Sequence, residues 1–255
     1  MSGRIRDGQA LVGRDDVIAS LEGLAGEGQT VLVYGPVGIG KTSVLGDLAR
    51  RAQRKQRPCA FCPRTEHLAD VAAALARAYP DASIGRSQRQ RRSRLRLAVE
   101  ANPGVLLLDD FIFVGTALKG YLRSLRGSGL GVVIAADVDQ ARDHARLREH
   151  GLAYRELALP PLRAALMRQL LERETARRAL PWPLAEEDRD ALLHVAQGRP
   201  GWIVSLVAAA VEVRYWHESR LAVDVLVADL LIKITHHYGA RARGSYARRR
   251  REGCG

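Results

Sequence analysis

Lysine and cysteine are scarce in this chain, and no long apolar run interrupts it. Lys41, Lys55, Lys119 and Lys233 are four lysines among 40 basic residues, so arginine carries the positive charge. Three cysteines cannot supply a four-thiolate zinc site. Cys59 and Cys62 form a single C-x-x-C, with His67 nearby and Cys254 far off, and the absence of a second ligand pair favours ordinary buried thiols. No apolar stretch approaches the roughly 18 residues of a membrane span. The opening Met-Ser-Gly-Arg-Ile-Arg-Asp lacks the apolar centre of a secretory leader. The expectation is a soluble, cytoplasmic protein with no membrane partner.

What is present is globular in composition. Hydrophobic residues are 47% and charged residues 27% of 255 positions, enough for a sizeable core in one or two domains. The formal net charge is +12, and its location says more than its size. Arg86, Arg89, Arg91, Arg92, Arg94 and Arg96 fall in one run without an acid, and six more arginines fall in 241–252 beside Glu252. With those two runs set aside, 28 basic residues face 27 acidic ones. A neutral body with two arginine patches suits contact with a phosphate backbone. The competing reading is a set of solvated faces in an arginine-rich chain.

The most informative stretch is Gly35-Pro36-Val37-Gly38-Ile39-Gly40-Lys41-Thr42. It follows the apolar run 30–34 and precedes a helical pattern from Ser43 to Gln53. That is the G-x-x-x-x-G-K-[ST] spacing in a strand–loop–helix setting. Glycines at 35, 38 and 40 let backbone N–H groups converge on phosphate oxygens, and the helix start adds partial positive charge. Lys41 is suited to β- and γ-phosphates and the Thr42 hydroxyl to Mg²⁺. The chain therefore reads as a nucleoside triphosphate binder. A second element is Val105-Leu-Leu-Leu-Asp109-Asp110, a continuous apolar strand ending in two carboxylates, as buried parallel sheets require. Asp109 is placed to hold Mg²⁺, and Asp110 to orient or deprotonate the attacking water.

Around these, Asp15 reads as the N-cap of a helix with stripe Val17, Ile18, Leu21 and Leu24, which could close over a purine with Val12 and Gly13. The piece 58–61 reads as a strand, and helices follow over 68–79 and 89–100, the second ending at Asn102-Pro-Gly104. Leu95, Leu97 and Val99 are the few apolar residues of that second helix. A helix over 114–125, strands over 130–136 and 154–159, and a charged helix over 139–150 complete the first part. Pro160-Pro161 marks a boundary. Beyond it helices are expected over 162–178, 186–196, 201–216 and 220–237. Trp182, Trp202 and Trp216 read as core or interface aromatics. The expected domains are 1–159, 160–237, and a basic flexible tail over 238–255.

In order, Val12-Gly13-Arg14, a helix, the 35–42 loop, Leu106-to-Asp110, a further strand, Pro160-Pro-Leu, a helical region and Gly198-Arg199-Pro200-Gly201 resemble the AAA+ ATPases and the neighbouring STAND ATPases. The resemblance runs from residue 10 to about 217. It implies an α/β P-loop NTPase three-layer sandwich, with a five-stranded parallel sheet in order 5-1-4-3-2 and a small all-helical lid. It also implies ATP and Mg²⁺ as ligands, with ATP lying between domains and between subunits. Ser43 and Pro200 would join the nucleotide site. Asp137 would stand at the γ-phosphate sensor position, and Arg142, Arg146 or Arg148 could serve as a finger toward a neighbouring subunit. Many hydrolysing relatives carry Glu where Asp110 stands, which implies slow turnover or a bind-and-hold switch. An arginine common three residues after the lid glycine is replaced here by Gly201, leaving Arg199 as its substitute.

Two branches compete. Origin-recognition, loader and transposition-helper ATPases match the small size and the arginine patches, and imply sequence-independent DNA binding, an ATP-dependent ring or filament, and a protein partner. STAND switches match Leu107-Leu-Asp-Asp110 and Gly198-Arg-Pro200, although no repeat sensor or effector segment is visible in the chain. A third reading is a nucleotide-stabilised scaffold that does not hydrolyse, in which Asp110→Asn would change nothing.

Overall fold

The computed structural model describes residues 11–63, 65, 67–83, 87–111, 116–125, 127–137, 153–233 and 235. The expected helix 139–150, the tail 238–255, Cys254 and the arginines 86, 142, 146 and 148 lie outside the described residues. The chain forms two compact units, dividing between Pro161 and Leu162.

In the first unit, α1 (Asp15–Gly26), β1 (Thr30–Gly35), α2 (Lys41–Arg54), β2 (Cys59–Cys62), α3 (Leu68–Ala78) and α4 (Gln88–Ala101) lead to β3 (Val105–Leu108). Then come α5 (Thr116–Ser124), β4 (Gly131–Asp137) and β5 (Arg155–Ala158). The five strands are parallel, in order β2-β3-β4-β1-β5, which is the order the resemblance implies read from the other edge.

Why the strands are apolar runs is plain from burial on both faces. Leu32, Ala60, Cys62, Leu106, Leu108, Val132 and Ile134 pack with α3, α4 and α5. Their alternates Val31, Val33, Val105, Leu107, Val133 and Ala135 pack with α1 and α2 on the other face. The period of two thus splits one sheet into two cores. The same alternation separates the C-x-x-C: Cys59 joins one core and Cys62 the other. Residues three apart on a strand face opposite ways, so the two thiols share neither a disulfide nor a metal. Burial pushes the Cys59 thiol up to about 11.

Some local expectations are revised. Asp15 is the first helical residue, not the cap: Arg14 occupies the N-cap without a side-chain cap bond, and Asp15 and Asp16 instead place negative charge in the first turn. The hydroxyl of Ser87 caps α4, accepting from Gln90 N at 3.2 Å. On α4, Leu95 and Val99 are buried, but Leu97 is 64% exposed because it falls on the opposite side of the helix.

The second unit holds α6 (Ala164–Ala176), α7 (Glu186–Ala196), α8 (Pro200–Ala209) and a further helix, α9, over 223–233. The helix expected over 201–216 stops at Ala209, and a 3₁₀ turn at Val213–Tyr215 leads into a hairpin of Trp216–His217 with Arg220–Leu221. The sequence Val-Arg-Tyr-Trp-His favours an extended backbone by its β-branched and aromatic content. The Trp216 indole N–H donates to the Ala210 carbonyl at 2.7 Å, satisfying a group the helix end leaves over. Trp202 and Trp216 are buried, while Trp182 sits at the surface with its ring centroid 5.6 Å from that of Trp216. Among the described residues no helix is long and apolar enough to cross a membrane.

One tie in the first unit has no counterpart among the sequence expectations. Arg57, just before β2, donates through Nη2 to Ala25 O (2.9 Å) and Gly104 O (3.0 Å), and through Nε to Pro103 O (3.1 Å). It joins the end of α1 to the turn before β3. At that turn a side chain on residue 104 would collide with the Pro58 carbonyl and the Tyr79 hydroxyl, so only glycine fits. Arg57→Ala should lower unfolding free energy by about 1.5–3 kcal/mol, the range for charged hydrogen bonds. Arg57→Lys should recover only part of it, since an ammonium lacks the planar fork. Urea denaturation of the two variants would check the ranking.

Candidate functional site

Because all five strands are parallel, their carboxyl ends share one edge, where ligands of open α/β sheets bind. Gly35 ends β1, Asp109 follows β3 and Asp137 ends β4. The loop 35–42 rises from β1 and enters α2 at Lys41. Gly40, its N-cap, has φ 103°, a left-handed conformation that L side chains rarely adopt. The Ile39 amide donates to Pro36 O at 3.2 Å, closing the loop on itself, and the Ile39 side chain is fully buried beneath it. Pro36, Val37, Gly38 and Gly40 are half-buried at the rim, and Thr42 and Ser43 are exposed at the start of α2.

Lys41 is only 8% exposed. Its ammonium donates to Gly35 O (2.6 Å) and Pro36 O (2.9 Å) and pairs with Asp137 Oδ1 at 2.6 Å. The register explains that pair, since Gly35 and Asp137 are direct partners across β1 and β4. Asp137 therefore faces the loop lysine, a placement that no local motif announces.

Asp109 is 7% exposed and is held on several sides. Its backbone N–H donates to Cys62 O at 2.9 Å, and the buried Thr65 hydroxyl donates to its carbonyl at 3.0 Å. The Thr42 hydroxyl and the Asp110 backbone N–H donate to its carboxylate. Burial nonetheless dominates and raises the acid to about 6, with Asp110 and Asp137 adding repulsion. Asp110 has φ 55°, a left-handed non-glycine residue directly after the strand. Aspartate tolerates that region better than most residues, and such outliers gather at functional sites.

Arg14, grouped with Val12 and Gly13 in the sequence reading, is 4% exposed. Its Nη1 donates to Pro160 O at 2.7 Å and its Nη2 to Ile39 O at 3.1 Å, whereas its buried Nε has no partner. It is a clamp between the loop and the end of the β5 segment. Val12 is half-buried and Gly13 exposed beside it. In the second unit Pro200 occupies the first turn of α8, and the Arg199 guanidinium lies 4.7 Å from the Trp202 ring centroid. The arginines at 89, 91, 92, 94 and 96 are all exposed on α4, away from the loop. Arg92 lies over the Tyr121 ring at 5.6 Å, and Arg96 Nε donates to Glu100 at 2.8 Å.

The structure thus gathers the loop 35–42, Asp109, Asp110 and Asp137, with Arg14 behind the loop and Thr65 behind Asp109. Arg14 and Thr65 act across sequence separations of 146 and 44 residues. The raised Asp109 acid has a stability consequence. Between the unfolded value near 4 and the folded value of about 6, the folded state binds more protons, so this group's contribution to stability falls as pH rises through that window. Asp109→Asn removes the buried charge. The stability of that variant relative to the parent should climb from pH 4 to 6 and level off above, as read by thermal melts across pH. A difference independent of pH would contradict the raised acidity.

Known proteins share this fold. Residues 10–112 match the AAA ATPase domain family. No curated protein is matched by the chain. Among solved structures, the Aeropyrum pernix ORC1 protein in complex with DNA aligns with TM-score 0.57 and 21% identity, covering 88% of this chain and 66% of that one. The Aeropyrum pernix ORC2 protein in its ADP form aligns with TM-score 0.57 and 17% identity, covering 89% and 70%. A mutant RuvB of Thermotoga maritima aligns with TM-score 0.52 and 16% identity, covering 87% and 71%. The chain spans about two thirds of the length of the ORC1 chain. At these identities the likeness is one of fold. Residues 10–112 are similar to the AAA ATPase domain family, and the chain has the AAA+ P-loop fold that it shares with the origin-recognition proteins of Aeropyrum pernix.

Proposed function

We propose that the chain binds and hydrolyses ATP at the loop 35–42, and that nucleotide state governs its self-association and its hold on DNA. The observation that carries this reading is the convergence of Lys41, Thr42 and Asp109 at one edge of the sheet. The loop amides and Lys41 take the phosphates. Thr42 and Asp109 suit Mg²⁺, being hard oxygen donors already hydrogen-bonded to each other. Bound there, Mg²⁺ would offset phosphate charge. Asp110, held beside Asp109 in its left-handed turn, accepts a proton from the attacking water.

The five exposed arginines of α4 are the DNA-facing surface in this reading, tracking the backbone without reading sequence. That the Aeropyrum pernix ORC1 protein was solved in complex with DNA supports it by analogy of fold. A loader or transposition-helper role would add an ATP-dependent ring or filament and a protein partner. The G-x-P element supports a STAND-type switch as the second reading: Gly198 has φ 72° and Pro200 opens α8.

Lys41→Ala should raise the Kd for ATP by about a hundredfold or more, as expected when a charge-assisted hydrogen bond to phosphate is removed. Retained affinity in that variant would remove the site assignment. Asp110→Asn should cut kcat by roughly 10²–10⁴-fold with little change in ATP affinity. ATP binding without measurable turnover in the parent, with Asp110→Asn changing nothing, would favour the scaffold that does not hydrolyse; an unchanged nonzero rate would remove Asp110 from the hydrolytic step. Anisotropy of labelled duplex DNA at two salt concentrations, with ATP, with ADP and without nucleotide, tests the second half of the proposal. Glutamine at 89, 91, 92, 94 and 96 should weaken binding and flatten the salt slope by about one for each phosphate no longer neutralised. Absence of binding in every nucleotide state would leave the protein-partner switch ahead.

A further inference from the structure

The Lys41 ammonium has three protons, and the structure gives it three acceptors: the carbonyls of Gly35 and Pro36 and the carboxylate of Asp137. A phosphate oxygen gains Lys41 only by displacing one of them or by sharing a proton with it. The carbonyls belong to the loop and are neutral. Asp137 is charged, sits at the end of β4 and is 27% exposed. It is the acceptor that competes with phosphate on equal terms.

Asp137 is also close enough to Asp109 to raise that residue's acidity range by repulsion. Among the described residues, three carboxylates, Asp109, Asp110 and Asp137, therefore share this edge with Lys41. An ionised carboxylate is acceptor-only and donates nothing to a phosphate. The influence of Asp137 on a polyphosphate is consequently unfavourable twice over, through competition for Lys41 and through direct repulsion. Both effects grow with the negative charge of the nucleotide, and the γ-phosphate adds the most highly charged group.

Given the ATP-binding reading of the loop, we infer that Asp137 is a specificity-determining residue that weakens nucleoside triphosphate binding relative to diphosphate binding. It does so by holding the P-loop lysine and by opposing the charge of the third phosphate. The resting preference of the site is thereby shifted toward ADP, so that a partner or a second subunit contributing positive charge has the most to gain by favouring the triphosphate.

The test is equilibrium titration of the full chain with fluorescent mant-ATP and mant-ADP, with Mg²⁺ and with EDTA. Asp137→Asn keeps the size of the side chain and an oxygen for Lys41 while removing the charge. It should tighten mant-ATP by about tenfold and mant-ADP by only about threefold, the scale expected for one unit charge at a partly exposed site. The gain should persist in EDTA, because it acts through Lys41. Asp137→Ser, smaller and neutral, should shift the ratio the same way if the asparagine variant melts early. Lys41→Ala separates the two readings. If that variant keeps its ATP affinity, the ATP site itself is misassigned. If it loses affinity while both Asp137 variants leave the ATP-to-ADP ratio unchanged or lower it, the role given to Asp137 is overturned and the nucleotide site stands.

Discussion

Parallel pairing of β1 with β4 is the constraint on which the candidate site depends. In that register Gly35 meets Asp137, so the loop that begins at Gly35 must fold over a carboxylate. The same sheet places Leu108 opposite Ile134, which sets Asp109 and Asp110 beside the middle of the same edge. A slip of one residue would turn every strand side chain to the other face and bury the wrong set. The two hydrophobic cores therefore fix the positions of the charges. Chemistry at this edge is a by-product of how apolar residues alternate in the strands below it.

That arrangement has an energetic cost concentrated in few residues. Asp109 sits in a setting that disfavours its charge, and two donors, Thr42 and the Asp110 amide, only partly offset the burial. Arg14 is buried with a guanidinium N–H unpaired. Asp110 and Gly40 occupy left-handed backbone regions. Such features persist where surrounding structure over-determines them, and here the clamps do so: Thr65 behind Asp109, and Arg14 between Ile39 and Pro160. A rigid frame around a few unfavourable groups is the arrangement that lets a charged ligand gain by neutralising them.

Much of this is legible in the residues, for a physical reason that also marks its limit. The loop 35–42 and the acidic strand end are local patterns, because phosphate cradling and strand burial each impose their residue types over fewer than ten positions. The strand order follows from family resemblance. Pairings across long separations leave no local trace: Arg57 reaches Ala25 and Gly104, and Lys41 reaches Asp137, through the tertiary fold alone. The hairpin at 216–221 is hidden because residues 201–210 are strongly helical and the change of backbone comes with no glycine or proline to mark it. Leu97 deceives for a related reason: a helix with few apolar positions invites counting all of them as core, and only two of the three face inward.

Charge in this chain acts in two regimes. At the sheet edge, Lys41 pairs with Asp137 at 2.6 Å beside the buried Asp109, where ionic strength has less leverage than on an exposed face. On α4 the arginines are exposed, and any polyanion they hold is held against a Debye length of about 8–10 Å. Salt should therefore loosen contacts made by α4 well before it affects nucleotide affinity. If nucleotide state and polyanion binding are coupled, the coupling has to pass through the folded frame rather than through long-range field. The tie between α4 and α5, where Arg92 lies over Tyr121 on the core face shared with β3, is a physical connection between the arginine surface and the strand that Asp109 follows.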